Sequence, residues 1–263
     1  MLTFVGLGLF DAEDITLKGL RAVREADAVY IEMYTSTLAG ATIKDLEGLY
    51  QRDIIPLKRE DIEEKPFFLD DAINKNIVLL SGGDPMVSTT HVDLRLRAKR
   101  MNIPTRIVHA PSISSAVCGL TGLQNYRFGR SATIPFPYVL EEKRIVYDTP
   151  YHVILENLKN GLHTLLYLDI AKKMMCASEG VSLLLEVAES HSDYAFREML
   201  GVVVGQAGSP EPLVRAMYLK KIVKLDSEKT PQVVIVPAKL HFMEAEALVE
   251  FASAPKRILN NST

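Results

Sequence analysis

The sequence predicts an α/β protein made of two α/β domains, and three observations carry that prediction. Short apolar runs rich in β-branched residues alternate with amphipathic stretches of helical length, the order left by parallel strands joined through crossover helices. Glycine turns follow two of the apolar runs, at Gly6-Leu7-Gly8 and Ser81-Gly82-Gly83, where a strand hands over to a helix. The alternation then restarts after a change of texture at Ala110-Pro111-Ser112, and 263 residues are enough for two compact cores.

Leu2 to Leu7 reads as the first strand, and Thr16 to Ala26 as the helix after it, with Leu17, Leu20 and Val23 on one face. Ala28 to Glu32 follows as a strand, Thr42 to Leu49 as a helix, Ile54 to Leu57 as a short strand and Pro66 to Lys75 as a helix. Asn76 to Leu80 is a wholly apolar strand but for its first residue, running into Ser81-Gly82-Gly83-Asp84-Pro85. His91 to Met101 is the next helix and Arg106 to His109 the next strand. A boundary is expected between residues 112 and 113. Beyond it come a small-residue helix from Ser114 to Leu120 and a strand from Ala132 to Phe136. A helix from Val153 to Asn160, a strand from His163 to Leu168 and a helix from Gly180 to Ala188 continue the alternation. Leu200 to Val204 and Gln232 to Pro237 read as strands, and Phe242 to Ala252 as the last helix.

Composition narrows the function classes. Apolar residues make up 48% and charged residues 24%, the mixture of a folded globular protein, and a net charge of -3 argues against a strong nucleic-acid field. The basic run Arg95, Arg97, Lys99, Arg100 reads most simply as a solvated helix face. Cys118 and Cys176 lie far apart in no ligand spacing, which points to a reducing cytoplasm and to no zinc site. No apolar run reaches membrane-spanning length, and the N-terminus lacks the pattern of a signal peptide, so a cytoplasmic protein without membrane or nucleic-acid partners is expected. No His, Cys and carboxylate cluster with metal-ligand spacing stands out.

Two loops carry the chemistry. Gly6-Leu7-Gly8-Leu9 begins like a dinucleotide fingerprint, but Asp11 stands where the third glycine belongs, and Asp11, Glu13 and Asp14 would repel a pyrophosphate. The turn is otherwise either a plain corner or a place where a ligand approaches bare backbone. In Ser81-Gly82-Gly83-Asp84-Pro85 the glycines and the proline fix a turn that presents the Asp84 carboxylate at its apex, unless Asp84 simply caps the next helix.

On these loops the chain resembles the tetrapyrrole methylase superfamily, whose members carry an N-terminal glycine turn and a GDP loop after a later strand. Within it the resemblance is closest to the diphthine synthase family, through Asp14-Ile15-Thr16-Leu17-Lys18-Gly19-Leu20 and Thr89-Thr90-His91. Further matches are Leu94 to Arg100, His109-Ala110-Pro111-Ser112-Ile113, Gly129 to Thr133, Gly161 to Leu166 and Ala207-Gly208-Ser209, so the likeness covers nearly the whole chain. It implies two α/β domains with S-adenosylmethionine in the cleft between them, a homodimer, and repeated methylation, to the trimethylated stage, of the amino group on the aminocarboxypropyl-modified histidine of translation elongation factor 2, a step of diphthamide synthesis.

Carried over position by position, the resemblance implies cofactor contacts at Leu9, Asp84, Val87, Ser112 and Ile113, with Leu168 from the second domain. Pro210 stands where a leucine is common and Gln232 where a histidine is common, so contacts there must run through the backbone to survive. Methyl transfer from a sulfonium needs alignment and a dry site rather than a metal, and no catalytic side chain is expected. His91, His163 and Asp169 are candidate substrate contacts, with a satisfied structural histidine or a capping aspartate as the simpler reading of each. The competing functions are a methyltransferase of the same fold acting on a tetrapyrrole or RNA, and a binding module without catalysis. Arg95, Arg97 and Arg100 are the basic residues proposed to meet the elongation factor.

Overall fold

The structure is a computed structural model and describes residues 1–34 and 36–262. The chain divides into two compact units. One holds Met1–Ile113 with Gly208–Pro210, the other Ser114–Ala207 with Glu211–Thr263. The short segment Gly208–Pro210, which the sequence reading left in the second half, thus belongs by its contacts to the first unit.

The first unit runs β1 (Leu2–Gly6), α1 (Leu17–Glu25), β2 (Ala28–Glu32), α2 (Ile43–Tyr50), β3 (Ile55–Leu57), α3 (Arg59–Glu63), α4 (Phe68–Ala72), β4 (Ile77–Ser81), α5 (His91–Arg100) and β5 (Thr105–Val108). Its strands form one parallel sheet in the order β3-β2-β4-β1-β5. The strands are apolar at nearly every position because both sheet faces are covered. Val5, Val29, Ile31, Val78, Leu80 and Val108 point into one core with Val23, Leu46 and Tyr50. Their alternates Leu2, Phe4, Tyr30, Ile77 and Leu79 point into another with Phe68, Leu94 and Ala98.

Local chemistry sets the helix starts. The Thr16 hydroxyl accepts from the Gly19 N–H at the head of α1, and Thr42 with Asp45 closes a reciprocal cap on α2. The expected helix from Pro66 to Lys75 shortens to Phe68–Ala72, because tighter bonds three residues back replace the helical ladder at both ends, Leu69 to Pro66 and Asp70 to Phe67 at the start, Ile73 to Asp70 and Asn74 to Asp71 at the finish. Helix α3 was not foreseen; of its charged sequence only Ile62 is buried, so it has no apolar periodicity to read.

The second unit continues from α6 (Ile113–Thr121) through β6 (Ala132–Ile134), β7 (Tyr138–Leu140), β8 (Lys143–Ile145), α7 (Thr149–Lys159), β9 (Thr164–Leu168) and α8 (Ala177–Ser190). It ends with β10 (Leu200–Gly205), β11 (Leu213–Tyr218), α9 (Leu219–Ile222), β12 (Gln232–Val236) and α10 (Phe242–Ala252). Its main sheet has the order β11-β10-β12-β9-β6 and is mixed, not parallel as the alternation suggested. Strands β6, β9 and β10 are joined through α7 and α8 and run one way. Strands β11 and β12 run the other way, and β12 inserts between β9 and β10. The strand direction is therefore kept wherever a helix intervenes, the short α9 between β11 and β12 included, and reverses where the loop joins β10 to β11. One face of this sheet buries Ile134, Leu166, Leu168, Val203, Val234 and Val236 against Ile154, Val181, Leu184 and Ala188 of α7 and α8.

Candidate functional site

Three loops of the first unit converge at the carboxyl ends of neighbouring strands β4, β1 and β5, where parallel α/β sheets place their ligands. The turns after β1 and β4 are stitched together by backbone bonds: Leu7 N–H to the Ser81 carbonyl at 2.9 Å, and Gly83 N–H to the Gly8 carbonyl at 2.6 Å. Gly6 is the point of closest approach. A methyl group there would stand 2.5 Å from the Gly83 carbonyl oxygen, 2.7 Å from the Ala110 Cβ and 2.9 Å from Pro85, so only glycine lets the three loops meet.

Two carboxylates hold this arrangement. Asp14 Oδ2 accepts the N–H groups of Leu9 at 2.9 Å and Phe10 at 2.7 Å. The protein's own carboxylate therefore fills the anion slot that a pyrophosphate would need, which removes the dinucleotide reading of the glycine turn. Asp84 is 7% exposed. Its Oδ1 accepts the Met86 N–H at 2.9 Å, while Oδ2 meets His109 Nδ1 at 2.7 Å and accepts the Ala110 N–H at 3.3 Å. Rather than capping α5, Asp84 ties the loop after β4 to the loop after β5.

The structure brings Leu9, Asp84, Val87, Ser112, Ile113 and Pro210 into this unit, on or beside these loops. Leu9 and Ile113 are half-buried, Ser112 is buried, and Val87 and Pro210 are exposed. Gly208 presses on the first turn: a Cβ there would lie 2.8 Å from the Leu9 and Phe10 Cβ atoms, and the buried Ser209 hydroxyl oxygen beside it has no hydrogen-bond partner in the protein. The remaining two expected residues lie in the second unit. Leu168 ends β9 and Gln232 begins β12, and continuing the β9/β12 register by one residue sets them opposite each other. The Gln232 side chain is already engaged, its amide oxygen accepting the Ala177 N–H at 2.7 Å at the start of α8 and its amide nitrogen donating to the Ser227 carbonyl at 3.3 Å.

The other candidates are structural. His163 is fully buried; its Nδ1 accepts the Ala238 N–H at 3.0 Å, which leaves the proton on Nε2 to be donated to Glu244 Oε1 at 2.9 Å. Burial pushes the imidazole below its ordinary value against the opposing pull of Glu244. Burial works to raise the Glu244 carboxyl, but bonds from the Gln124 and His241 backbone and from His163 hold it lower than usual. Arg127 completes this cluster as an ion pair with Glu244. Asp169 accepts from the Phe136 and Ala171 N–H groups and so shapes the turn after β9. His91, also fully buried, bonds the Pro85 carbonyl through Nδ1 at 2.8 Å and supports the GDP loop from behind.

Sequence reasoning missed three participants. His109 and Asp14 were read as members of runs that match the family, Asp14 also as a hindrance to a pyrophosphate, and neither was given a contact; Gly208 was assigned to the other half. Only the fold shows what His109 and Gly208 touch, since their partners lie 25 and about 200 residues away, whereas the Asp14 bonds to Leu9 and Phe10 are local, 5 and 4 residues back.

Comparison with known proteins agrees with this geometry. The family described as Tetrapyrrole (Corrin/Porphyrin) Methylases matches residues 1–222. The diphthine synthase of Methanocella arvoryzae is 54% identical, over 96% of this chain and 98% of its own. That of Methanosarcina barkeri is 51% identical over 97% of each. Among solved structures, one described as a diphthine synthase superposes with a TM-score of 0.91 at 44% identity, covering 99% of each chain. A putative diphthine synthase from Entamoeba histolytica superposes at 0.84 with 29% identity, over 97% of this chain and 99% of that one. The chain belongs to the tetrapyrrole methylase family and, within it, to the diphthine synthases; it is a methyltransferase.

Proposed function

We propose that the protein uses S-adenosylmethionine to methylate the amino group of the aminocarboxypropyl-modified histidine of translation elongation factor 2, through to the trimethylated product diphthine. The observation that carries this reading is similarity at 54% identity, over nearly the full length of both chains, to a diphthine synthase. Its cytoplasmic location and homodimeric state belong to the same proposal. Among the described residues no helix is long and apolar enough to cross a membrane. Exposed Phe242, Met243 and Phe251 on α10 offer apolar surface of the kind a second copy would cover.

The residues present fit the cofactor. The loops around Gly6 leave bare backbone at Gly83, where a Cβ would meet nothing within 4 Å, and the orphaned Ser209 hydroxyl supplies a polar group in need of a partner. Leu9, Val87, Ser112, Ile113 and Pro210 are proposed to contact the cofactor in the first unit, and Leu168 and Gln232 are proposed contacts from the second. Asp84 fixes the loops that carry Val87, Ser112 and Ile113, and Asp14 the turn that carries Leu9. When bound, the cofactor supplies a methyl group on a sulfonium, open to in-line attack. Covered by the cofactor, the apolar side chains Leu9, Val87 and Ile113 would keep water from it, and a drier surrounding favours the neutral, nucleophilic form of the acceptor amine. No side chain is assigned as a general base.

Of the three arginines proposed to meet the elongation factor, Arg97 is already committed, donating to Asp93 at 2.7 Å and to the Glu63 carbonyl at 2.9 Å. Arg100 is exposed and keeps its candidacy. The test is incubation with labelled S-adenosylmethionine and three acceptors. Labelling of the modified factor supports the reading. Labelling of a tetrapyrrole or an RNA instead, or of nothing, overturns it.

A further inference from the structure

Helices α7 and α8 bring together three side chains that the sequence reading passed over when it found no metal-ligand spacing. Asp148 is the residue before α7, His152 lies four positions later on the same helix face, and His191 caps the carboxyl end of α8. One ligand atom from each lies within 4.8 Å of the other two, and His152 Nε2 stands 3.4 Å from Asp148 Oδ2. In a tetrahedral zinc site with bonds of about 2.0–2.1 Å, donor atoms sit about 3.3 Å apart. One pair already has that spacing, and all three side chains are exposed.

Several features hold the cluster in place. The buried Tyr151 ring lies stacked on His191 at 5.2 Å and 9°, and its hydroxyl donates to Asp193 Oδ2 at 3.0 Å. Ser192, with a φ of 59°, turns the chain sharply after His191. Beneath, Ile154 of α7 packs with Leu184, Val187 and Ala188 of α8 in one core, so the two backbones that carry the ligands do not drift apart. Asp148 makes no side-chain capping bond to its own helix. The carboxyl end of α8 contributes partial negative charge beside His191, which favours a cation there.

We propose that Asp148, His152 and His191 form a binding site for a borderline divalent cation of the zinc type, with water in the open fourth position. Two imidazoles and one carboxylate suit such an ion and discriminate against magnesium and calcium, which take oxygen donors. Bound there, the ion clamps the start of α7 to the end of α8 and stabilises the second unit. It takes no part in methyl transfer.

The probe is zinc alone, titrated into the whole protein in competition with a chromogenic zinc indicator, with thermal unfolding followed in parallel. Wild type should bind one zinc per chain and melt at a higher temperature with zinc present. His152→Ala or His191→Ala should weaken binding at least about tenfold and abolish the zinc-dependent rise. Both residues are exposed and each gives up chiefly a ring contact with Tyr151, so without zinc both variants should unfold cooperatively within a few degrees of wild type, which separates ligand loss from misfolding. No saturable binding by wild type would overturn the proposal. So would binding that survives both substitutions, or that disappears instead on His109→Ala at the other exposed histidine paired with a carboxylate.

Discussion

Replacing Asp84 by alanine removes the acceptor that ties the loop after β4 to the loop after β5. Its two backbone bonds, from Met86 at 2.9 Å and Ala110 at 3.3 Å, go to a carboxylate that is 7% exposed, so their loss leaves N–H groups with little access to water. Hydrogen bonds to a charged acceptor contribute about 1.5–3 kcal/mol each, and the longer one belongs at the low end. The His109 contact adds little, because that side chain is 69% exposed and recovers solvent. The sum is roughly 3–4.5 kcal/mol, a fall in melting temperature of roughly 6–18 °C. That leaves the protein folded at 25 °C, given an ordinary stability of about 5–15 kcal/mol. Loops so loosened should bind S-adenosylmethionine at least about tenfold more weakly, equal to 1.4 kcal/mol. Asp84→Asn retains an acceptor for Met86 and should lose about half as much stability. Calorimetric titration at 25 °C with the folded variant is the assay. Wild-type affinity in Asp84→Ala would refute the assignment of this loop to the cofactor.

The remaining predictions test the geometry and the chemistry separately. Gly6→Ala, with backbone 2.5 Å from the new methyl group, should cost about 3 kcal/mol in urea denaturation. Gly83→Ala meets only the strain of a positive φ in open space and should cost about 1 kcal/mol; equal costs would contradict the convergence of the loops. Asp14→Ala should weaken cofactor binding by freeing the Leu9 and Phe10 N–H groups from the contact that shapes the turn, and unchanged binding would show that contact to be irrelevant. Acid should destabilise the protein. Burial lowers the folded-state values of His91 and His163, so the unfolded chain binds more protons as pH falls through about 6.5, and each histidine removes up to about 1.4 kcal/mol per pH unit below it. The lowered Glu244 carboxyl adds a further loss as pH falls from about 4.5 through its folded-state value, so denaturation midpoints that stay level from pH 8 to pH 5 would contradict the buried-histidine account. Methyl transfer should persist in excess chelator; its loss, restored by a divalent ion, would overturn the mechanism.

Much of the fold was legible because its strands are buried on both faces and its helices carry periodic apolar stripes. Ala28–Glu32 and Phe242–Ala252 were read to the residue, and both glycine loops were found by their place after apolar runs. The mixed direction of the second sheet was not legible: a strand's pattern shows that it is buried, while its direction depends on how it is connected. The β7–β8 hairpin escaped for another reason, since its residues are nearly all exposed and carry no alternation. In the site, glycine and Asp84 were visible through local turn chemistry. The Asp84–His109 tie, the Gly208 contact with Leu9 and the approach of His191 to His152 are long-range pairings, which local pattern does not encode.

The central claim is that the acceptor is an amino group on a modified histidine, and mass spectrometry of the acceptor tests it most directly. Elongation factor 2 bearing the aminocarboxypropyl histidine should gain methyl groups in the presence of enzyme and S-adenosylmethionine. Fragmentation should place every added methyl on the amino nitrogen of that side chain, and Asp84→Ala should slow their appearance. The factor with an unmodified histidine should remain unchanged. Methyl groups on the unmodified factor, at another residue, or absent from both proteins would contradict the account.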